Sequence, residues 1–149
     1  MDVSGTIGEI LRHKGATVWS VTPDGLVFDA IQLMADKNIG AVLVMEGETL
    51  EGILSERDYT RKVILKGKSS KDTTVREIMS THLLTTTPHS SVADCLRIMT
   101  DRRVRHLPVV EDGKVVGIIS IGNLVNWVIS AQTSTINQLE SYIAGGYSA

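Results

Sequence analysis

Two short stretches of the sequence combine groups that could bind a polar ligand. The first, GILSERDYTRKVI (52–64), ends an apolar run at Ser55 and then places Arg57 and Asp58 at the start of a predicted helix. A carboxylate offers only hydrogen-bond acceptors, a guanidinium is a cationic fork, and a hydroxyl beside unsatisfied backbone N–H groups suits a phosphate. An acid in the first turn of a helix also has a common capping role, so a purely structural interpretation stays open.

The second stretch, GIISIGNLVNWVI (117–129), repeats this arrangement with Ser120 and with Asn123 in place of the acid. An amide has one acceptor oxygen and a donor NH2, so it binds hydroxyls less strongly and without charge. Ile121 and Gly122 replace the glutamate and arginine of the first stretch, which removes the local cation. The sequence therefore predicts two unequal sites.

These two stretches belong to an internal repeat. Residues 18–64 align with residues 83–129 at an offset of 65 without a gap, and 13 of the 47 pairs are identical. Upstream, TIGEIL (6–11) resembles TVREIM (74–79) at an offset of 68, so the first copy has three extra residues, in a stretch that includes His13, Lys14 and Gly15. A repeat of this kind indicates one supersecondary unit used twice.

Each copy predicts the element order α–β–α–β–β–α. The first strand (18–21 or 83–87) stops at a proline, and the following helix has Asp24 or Ser90 as its expected N-cap. The paired strands are predicted at 41–46 with 50–55 and at 106–111 with 114–119, and the last helices at about 56–65 and 121–131. We expect an α/β (α+β) fold in which two pseudo-symmetric three-stranded sheets with flanking helices pack sheet to sheet.

The predicted organisation is a first repeat at 6–64, a polar and basic linker at 65–75, a second repeat at 74–131, and a tail at 132–149. The tail predicts a helix from about 134 to 144, which Gly145 and Gly146 would stop. Its apolar stripe, formed by Ile136, Leu139, Tyr142 and Ile143, needs a partner surface.

Composition excludes several functional classes. The net charge of −2 gives no reason to expect a nucleic-acid partner, and the single cysteine, Cys95, cannot form an internal disulfide. The first 15 residues do not resemble a signal peptide, and the most apolar stretch, 115–129, is too short and polar to span a bilayer. The four histidines lack metal-ligand spacing and no nucleophile–base set is evident. We expect a cytoplasmic, non-enzymatic protein that needs no metal and has no membrane partner.

The repeat resembles the cystathionine-β-synthase (CBS) domain. The stretches that carry the resemblance are TPDGLVFDAIQLMADKNI…AVLVMEGETLEGILSERD and TPHSSVADCLRIMTDRRVRHLPVVEDGKVVGIISIGN. The family pattern has a threonine–proline entry, a methionine within the helix, an LPVV strand and a glycine–apolar–apolar–Ser/Thr–x–x–Asp ending. The first copy departs from it with AVLVM where the family often has a proline. The resemblance covers about residues 6–131.

The resemblance implies a tandem pair, a Bateman module, that binds adenosyl ligands in the cleft between repeats and regulates an unidentified protein target. We expect AMP, ADP or ATP first, NAD second and S-adenosylmethionine third, and a homodimer of modules. Two alternatives stay open: a ligand-free structural dimerisation module, and a small nucleotide enzyme, for which no catalytic set is visible.

The resemblance also assigns candidate ligand residues. At the first site, Asp58 accepts from the ribose hydroxyls and the strands supply an adenine slot. Independently of the resemblance, Arg57 offers a cationic fork, and we expect Lys14, in the inserted stretch, to reach a phosphate. At the second, Asn123 takes the ribose and the basic residues before the strand take phosphate, unless they form only a solvated basic edge. Trp19 either stacks on adenine or belongs to the core or an interface. The first set is Lys14, Val18, Trp19, Ser20, Val42, Ile53, Ser55, Arg57 and Asp58; the second is Thr85, Thr87, Arg103, Arg105, His106, Leu107, Pro108, Ile118, Ser120 and Asn123.

Overall fold

The computed structural model describes the backbone of residues 4–141 and the side chains of residues 4–131. The elements in chain order are α1 (Ile7–Lys14), β1 (Ser20–Val21), α2 (Val27–Lys37), β2 (Ala41–Glu46), β3 (Thr49–Ser55), α3 (Glu56–Tyr59), a π-helical turn (Thr60–Ile64), α4 (Val75–Ile78), α5 (Val92–Arg102), β4 (His106–Glu111), β5 (Lys114–Ser120) and α6 (Ile121–Ser141). The predicted mixed α/β fold with two small sheets and flanking helices is confirmed.

The sheets differ in strand number. In the first, β1 runs parallel to β2, and β3 pairs antiparallel with β2, giving the order β1-β2-β3. The second contains only β4 and β5. The third strand expected at 83–87 is reduced to one parallel bridge between Thr86 and Val109, because Thr86 makes a single pair of backbone hydrogen bonds there and Pro88, with no N–H, follows closely.

The chain divides into two compact units that do not coincide with the two repeats. Residues 16–87 and 107–118 form one, here called the strand unit. The other, here called the helix unit, contains α1, α5 and α6 and comprises residues up to 15, 88–106 and 119 onwards.

The strand unit is built on one apolar cluster. Helix α2 contributes Val27, Ala30 and Met34, which recur at the i, i+3, i+7 spacing of a single helix face. They are buried with residues from β2, β3, the π-helical turn and α4: Val42, Val44, Leu54, Val63, Val75 and Ile78. This cluster fixes the end of β3, where the first candidate site begins.

Helix α2 begins two residues later than predicted, with Leu26 rather than Asp24 at the N-cap. The first N–H groups of the helix are satisfied by backbone instead of by a side chain. Val27 N–H donates to Thr73 O and Phe28 N–H to Ser70 O, both at 2.9 Å. The segment between the repeats therefore caps this helix, which sequence spacing could not reveal.

Helices α1 and α5 of the helix unit each begin with a side-chain cap. Thr6 Oγ1 accepts the Glu9 N–H at the start of α1, and Ser91 Oγ accepts the Asp94 N–H at the start of α5. Ser90 is not the cap as predicted, because its carbonyl accepts the N–H of Ile7 at 2.9 Å and holds it in the loop. Below these caps the side chains of α1 and α5 supply buried positions, namely Ile7, Ile10, Leu11, Val92, Cys95 and Met99.

The last helices also differ from prediction. In the first repeat the expected helix is a single α-turn followed by the π-helical turn. In the second repeat α6 continues to Ser141 without the break expected near 132, since the intervening AQTST contains neither glycine nor proline. The tail's apolar side chains and its expected stop at Gly145–Gly146 lie outside the described residues.

Candidate ligand sites

The first candidate site lies where β3 passes into α3, and it is a reciprocal cap. Ser55 Oγ accepts the Asp58 N–H at 3.1 Å, and Asp58 Oδ2 accepts the Ser55 N–H at 3.0 Å. The Ser55 hydroxyl also donates to Asp58 Oδ2 at 3.0 Å. The structural role that the sequence left open is thus present, and it holds the carboxylate in a fixed orientation.

Two further side chains meet the other carboxylate oxygen. Ser80 Oγ donates to Asp58 Oδ1 at 3.2 Å, and Lys62 Nζ lies 3.1 Å from the same oxygen. The ammonium of Lys62 also donates to the carbonyl of Ile78 at 2.9 Å. The Asp58 side chain is 12% exposed and that of Lys62 is 43% exposed, so the ion pair is partly shielded from water.

Sequence reasoning missed both Lys62 and Ser80. Lys62 stands four residues after Asp58, the spacing at which helical side chains meet, so it could have been found. Ser80 is brought in by tertiary structure: its N–H donates to Ile53 O at 2.9 Å, and Ile53 N–H donates to Ser80 O at 3.0 Å. Only a glycine at position 52 permits this approach, because a Cβ there would lie 2.8 Å from Ser80 O.

The remaining residues predicted for the first site have mixed positions. Val18 and Ile53 are half-buried, and Ser20 and Arg57 are exposed. Val42 is fully buried within the apolar cluster, and its predicted place in the adenine slot stays a prediction.

Trp19 does not belong to the core of the strand unit. It is 37% exposed, and Lys37 Nζ lies 4.3 Å from the centre of its ring. This cation–π contact occupies one face of the indole.

The second candidate site repeats the cap with neutral groups. Asn123 Oδ1 accepts the Ser120 N–H at 2.8 Å, and Ser120 Oγ accepts the Asn123 N–H at 3.1 Å. Four residues beyond Asn123 stands Trp127, at the repeat position that Lys62 holds in the first copy. The acid is thus followed four residues later by a cation, and the uncharged amide by an aromatic residue.

Asn123 and Trp127 line a cavity of about 500 Å³ within the helix unit. Its walls come from α1 and the first turns of α6, and they comprise Ile10, His13, Lys14, Asn123, Asn126, Trp127, Ser130 and Ala131. The indole N–H donates to Ser4 O at 2.9 Å, and the His13 ring meets the indole edge-on with centroids 5.5 Å apart. Both rings are thereby held at the cavity wall.

Lys14 lines this cavity together with Asn123, and its predicted place in the first site stays a prediction. The stretch containing the three extra residues extends α1 to Lys14, and the end of that helix lies against α6. Lys14 remains exposed to solvent, but partial burial at the cavity wall lowers the pKa of its ammonium from the usual value, because the charged form loses some of its water.

The residues of the basic run before β4 differ in exposure and in local role. Arg103 is exposed and serves as the left-handed C-cap of α5, with φ of 54°. Arg105 is exposed, and its carbonyl accepts the Ile121 N–H at 2.8 Å. Burial and then the nearby Arg105 charge lower the pKa of His106, which favours the neutral form of its ring.

Other residues predicted for the second site divide between core and surface. Leu107 and Pro108 are buried, and their predicted place in the adenine slot stays a prediction. Pro108 contributes its carbonyl, which accepts the Thr86 N–H at 2.9 Å. Thr85 and Thr87 are exposed, and Ile118 is half-buried.

Comparison with known proteins decides the family. The model of the CBS domain matches residues 7–64 and residues 75–130. The chain belongs to the CBS-domain family. It is 40% identical to the mitochondrial CBS domain-containing protein CBSX3 of Arabidopsis thaliana, over 97% of this chain and 74% of that protein.

Solved structures show the same CBS-pair fold. A protein with CBS domains from Burkholderia ambifaria superposes with a TM-score of 0.83 at 47% identity, covering 86% of this chain and 96% of that one. The CBS domain pair of protein MJ0100, solved with 5′-methylthioadenosine and S-adenosyl-L-methionine, superposes with a TM-score of 0.73 at 21% identity, covering 83% and 94%. At that identity the second likeness concerns the fold alone.

The two CBS repeats thus present the same cap with different chemistry. The first offers a shielded carboxylate whose oxygens already receive internal donors. The second offers an amide at the wall of a cavity large enough for a small ligand. Within the described part of the chain, no helix is both long and apolar enough to cross a membrane.

Proposed function

We propose that this CBS-domain pair is a regulatory module that binds an adenosyl ligand and has no catalytic activity of its own. The observation that carries the proposal is the repeated Ser–x–x–Asp/Asn cap, which fixes Asp58 in one repeat and Asn123 in the other directly after the last strand. The complex of MJ0100 with two adenosyl compounds supports a ligand of this class. AMP, ADP and ATP rank first, NAD second and S-adenosylmethionine third.

The cavity at Asn123 suits a phosphorylated adenosyl ligand. Its size of about 500 Å³ lies within the range of small-molecule pockets, and Trp127 supplies an aromatic surface for a base. Asn123 can accept a hydrogen bond from one ribose hydroxyl, and Lys14 in the cavity wall can bind a phosphate. Among the described residues that line this cavity there is no carboxylate to offset the positive charge of a sulfonium ligand.

The carboxylate of Asp58 suits the two hydroxyls of a ribose, since an ionised carboxylate offers only acceptors and has two acceptor positions on each oxygen. Ser55 holds one of those oxygens through its N–H and its hydroxyl. The side chain is therefore oriented before a ligand arrives, which reduces the entropy lost on binding.

Ligand binding at these sites regulates a partner only if it favours one of two arrangements, so the proposal includes a change in conformation or in assembly.

The proposal also includes a homodimer. On α6, Val125 and Ile129 are 44% and 54% exposed and stand four residues apart on one helix face. Covering these two apolar side chains with a second copy removes them from water and so stabilises the dimer. The cytoplasmic location and the protein target stay predictions.

A thermal-shift series tests the proposal. The nucleotide-stripped wild type and the variants Asp58→Ala and Asn123→Ala are each melted with AMP, ATP, NAD or S-adenosylmethionine. A ligand at one hundred times its dissociation constant adds about 2.7 kcal/mol to the free energy of unfolding, which raises Tm by several degrees. We expect a rise for at least one ligand that one of these variants abolishes.

Lys14→Met separates phosphate binding from nucleoside binding. It should weaken AMP but leave adenosine unchanged, whereas Lys66→Met, at an exposed lysine outside the cavity, should alter neither. Equal weakening of AMP and adenosine would show that Lys14 supports the cavity wall rather than a phosphate.

One observation favours a second candidate, a ligand-free dimerisation module. The Asp58 carboxylate already receives hydrogen bonds from Ser55 and Ser80 together with the Lys62 ammonium, and Asn123 is uncharged. This candidate predicts a cooperative melt that none of the four ligands shifts, and a dimer whose mass does not change when they are added.

A further inference from the structure

The hydrogen-bonding capacity of Asp58 is already filled. An ionised carboxylate has about four acceptor positions on its two oxygens. Oδ2 receives the N–H and the hydroxyl of Ser55, each at 3.0 Å. Oδ1 receives the Ser80 hydroxyl at 3.2 Å and the Lys62 ammonium at 3.1 Å. A ribose diol therefore finds no vacant acceptor position on this side chain.

These four donors differ in how easily they can leave. The Ser55 N–H belongs to the backbone at the end of β3, so it cannot leave without unwinding the cap. The Ser80 hydroxyl needs only a rotation about χ1, because the Ser80 backbone stays paired with Ile53. The Lys62 ammonium sits on a flexible stem, and it has a second partner in the Ile78 carbonyl at 2.9 Å.

We infer that Lys62 and Ser80 are specificity-determining residues of the first site, where they compete with the ribose diol for Asp58 Oδ1. This inference rests on the proposed function. A ligand with two adjacent hydroxyls can replace the Ser80 hydroxyl and the Lys62 ammonium with two donors of its own. A ligand without them cannot, and it would leave these contacts of Asp58 in place. The internal donors thus set the affinity of this site and restrict it to ligands that bring a diol.

Displacement also has a mechanical consequence. Lys62 lies in the π-helical turn of the first repeat, and Ile78 ends α4, which opens the second repeat. The ammonium therefore joins Asp58 to the first element of the other repeat within the strand unit. When a diol takes Oδ1, Lys62 keeps only its Ile78 contact, so occupancy of Asp58 alters the link between the two repeats.

The test uses uncharged nucleosides, so that the charge of Lys62 does not act on a phosphate. Calorimetric dissociation constants are measured for adenosine and for 2′,3′-dideoxyadenosine, and the binding that Asp58→Ala removes defines the first site. Ser80→Ala and Lys62→Met should each tighten adenosine at that site about tenfold and leave the dideoxy compound unchanged. Arg61→Met, at the exposed cation beside Lys62, and Thr81→Ala should change neither constant.

The outcomes distinguish this inference from the function on which it rests. If the wild type binds adenosine and both Ser80→Ala and Lys62→Met bind it equally well or more weakly, the competition for Asp58 is refuted. The ligand site itself is then retained. Binding that appears only in the variants supports the competition and identifies the wild type as closed. Absence of nucleoside binding in all proteins, with AMP and ATP also inactive, overturns the proposed function at Asp58 and the inference together.

A measurement without ligand tests the contact itself. In a double-mutant cycle of Lys62→Met with Asp58→Asn, the two losses of unfolding free energy should be non-additive, since each variant removes the same ion pair. The same cycle with Arg61→Met should be additive. Additive losses for the Lys62 pair would show that the ammonium does not engage Asp58 in solution, and the inference would fail.

Discussion

The close approach of β3 to Ser80 predicts a large cost for one added methyl group. A Cβ at position 52 would lie 2.8 Å from Ser80 O and 3.0 Å from Met79 Sδ. The sulfur belongs to a flexible side chain and can move. The carbonyl cannot move freely, because the Ser80 backbone is held to Ile53 by hydrogen bonds of 2.9 and 3.0 Å. Gly52→Ala must therefore open this bridge or strain β3.

The magnitude follows from these contacts. Overpacking at a tight site costs about 1–3 kcal/mol, and each backbone hydrogen bond that is weakened adds about 0.5–1.5 kcal/mol. We expect Gly52→Ala to lower the free energy of unfolding by about 2–4 kcal/mol. For a chain of this length that corresponds to a fall in Tm of roughly 5–15 °C.

Gly122→Ala is the matched control. Gly122 lies in the first turn of α6, and a Cβ there would meet Ser120 Oγ at 3.6 Å, an ordinary contact. Alanine is favoured over glycine within a helix by about 0.8–1.0 kcal/mol, so this variant should be as stable as the wild type or more so. Urea denaturation of both variants gives the comparison, and the two changes should have opposite signs. A Gly52→Ala protein with wild-type stability would refute the close approach of β3 to Ser80.

Two other stability changes are expected. The pKa of His106 is lower in the folded protein than in the unfolded chain, so the unfolded state binds the proton first as pH falls. The free energy of unfolding should therefore decrease as pH drops below about 6.5. In urea titrations between pH 7.5 and 5.5, His106→Gln should remove this part of the dependence of the unfolding free energy on pH. An unchanged slope would mean that His106 titrates alike in both states. Arg103→Gly, at a φ of 54°, should raise the unfolding free energy by about 0.5–1 kcal/mol, since a non-glycine residue is strained there. The same change at Asn38, the corresponding C-cap of α2, should gain less because asparagine tolerates this conformation, and equal gains would contradict the argument.

Much of the fold was predictable because the repeat constrains it twice. The alignment without a gap placed Ser55 with Ser120 and Asp58 with Asn123, and the structure shows the same cap at both places. Local spacing suffices for such a contact, because the partners are three residues apart. The paired strands were predictable for a similar reason, since their alternating apolar residues and hairpin turns are local.

Several of the errors concern contacts made over long distances in the chain. Asp24 was predicted to cap α2, but carbonyls from the segment between the repeats do so instead. The burial of Val42 and Leu107 could not be predicted either, because alternation along a strand does not show which face another layer covers. Ser80 reaches Asp58 only through a bridge to β3, which no local pattern indicates.

The most direct test of the ligand proposal uses two backbone amides as reporters. Ser55 N–H donates to Asp58 at 3.0 Å and Ser120 N–H donates to Asn123 at 2.8 Å, so their ¹⁵N–¹H signals sense any change at each acceptor. The nucleotide-stripped protein is titrated with AMP, ATP, NAD and S-adenosylmethionine. We predict a saturable shift of at least one of these two signals with at least one ligand. If neither signal moves at millimolar concentrations of all four, in a protein that stays folded, the adenosyl-binding account is wrong.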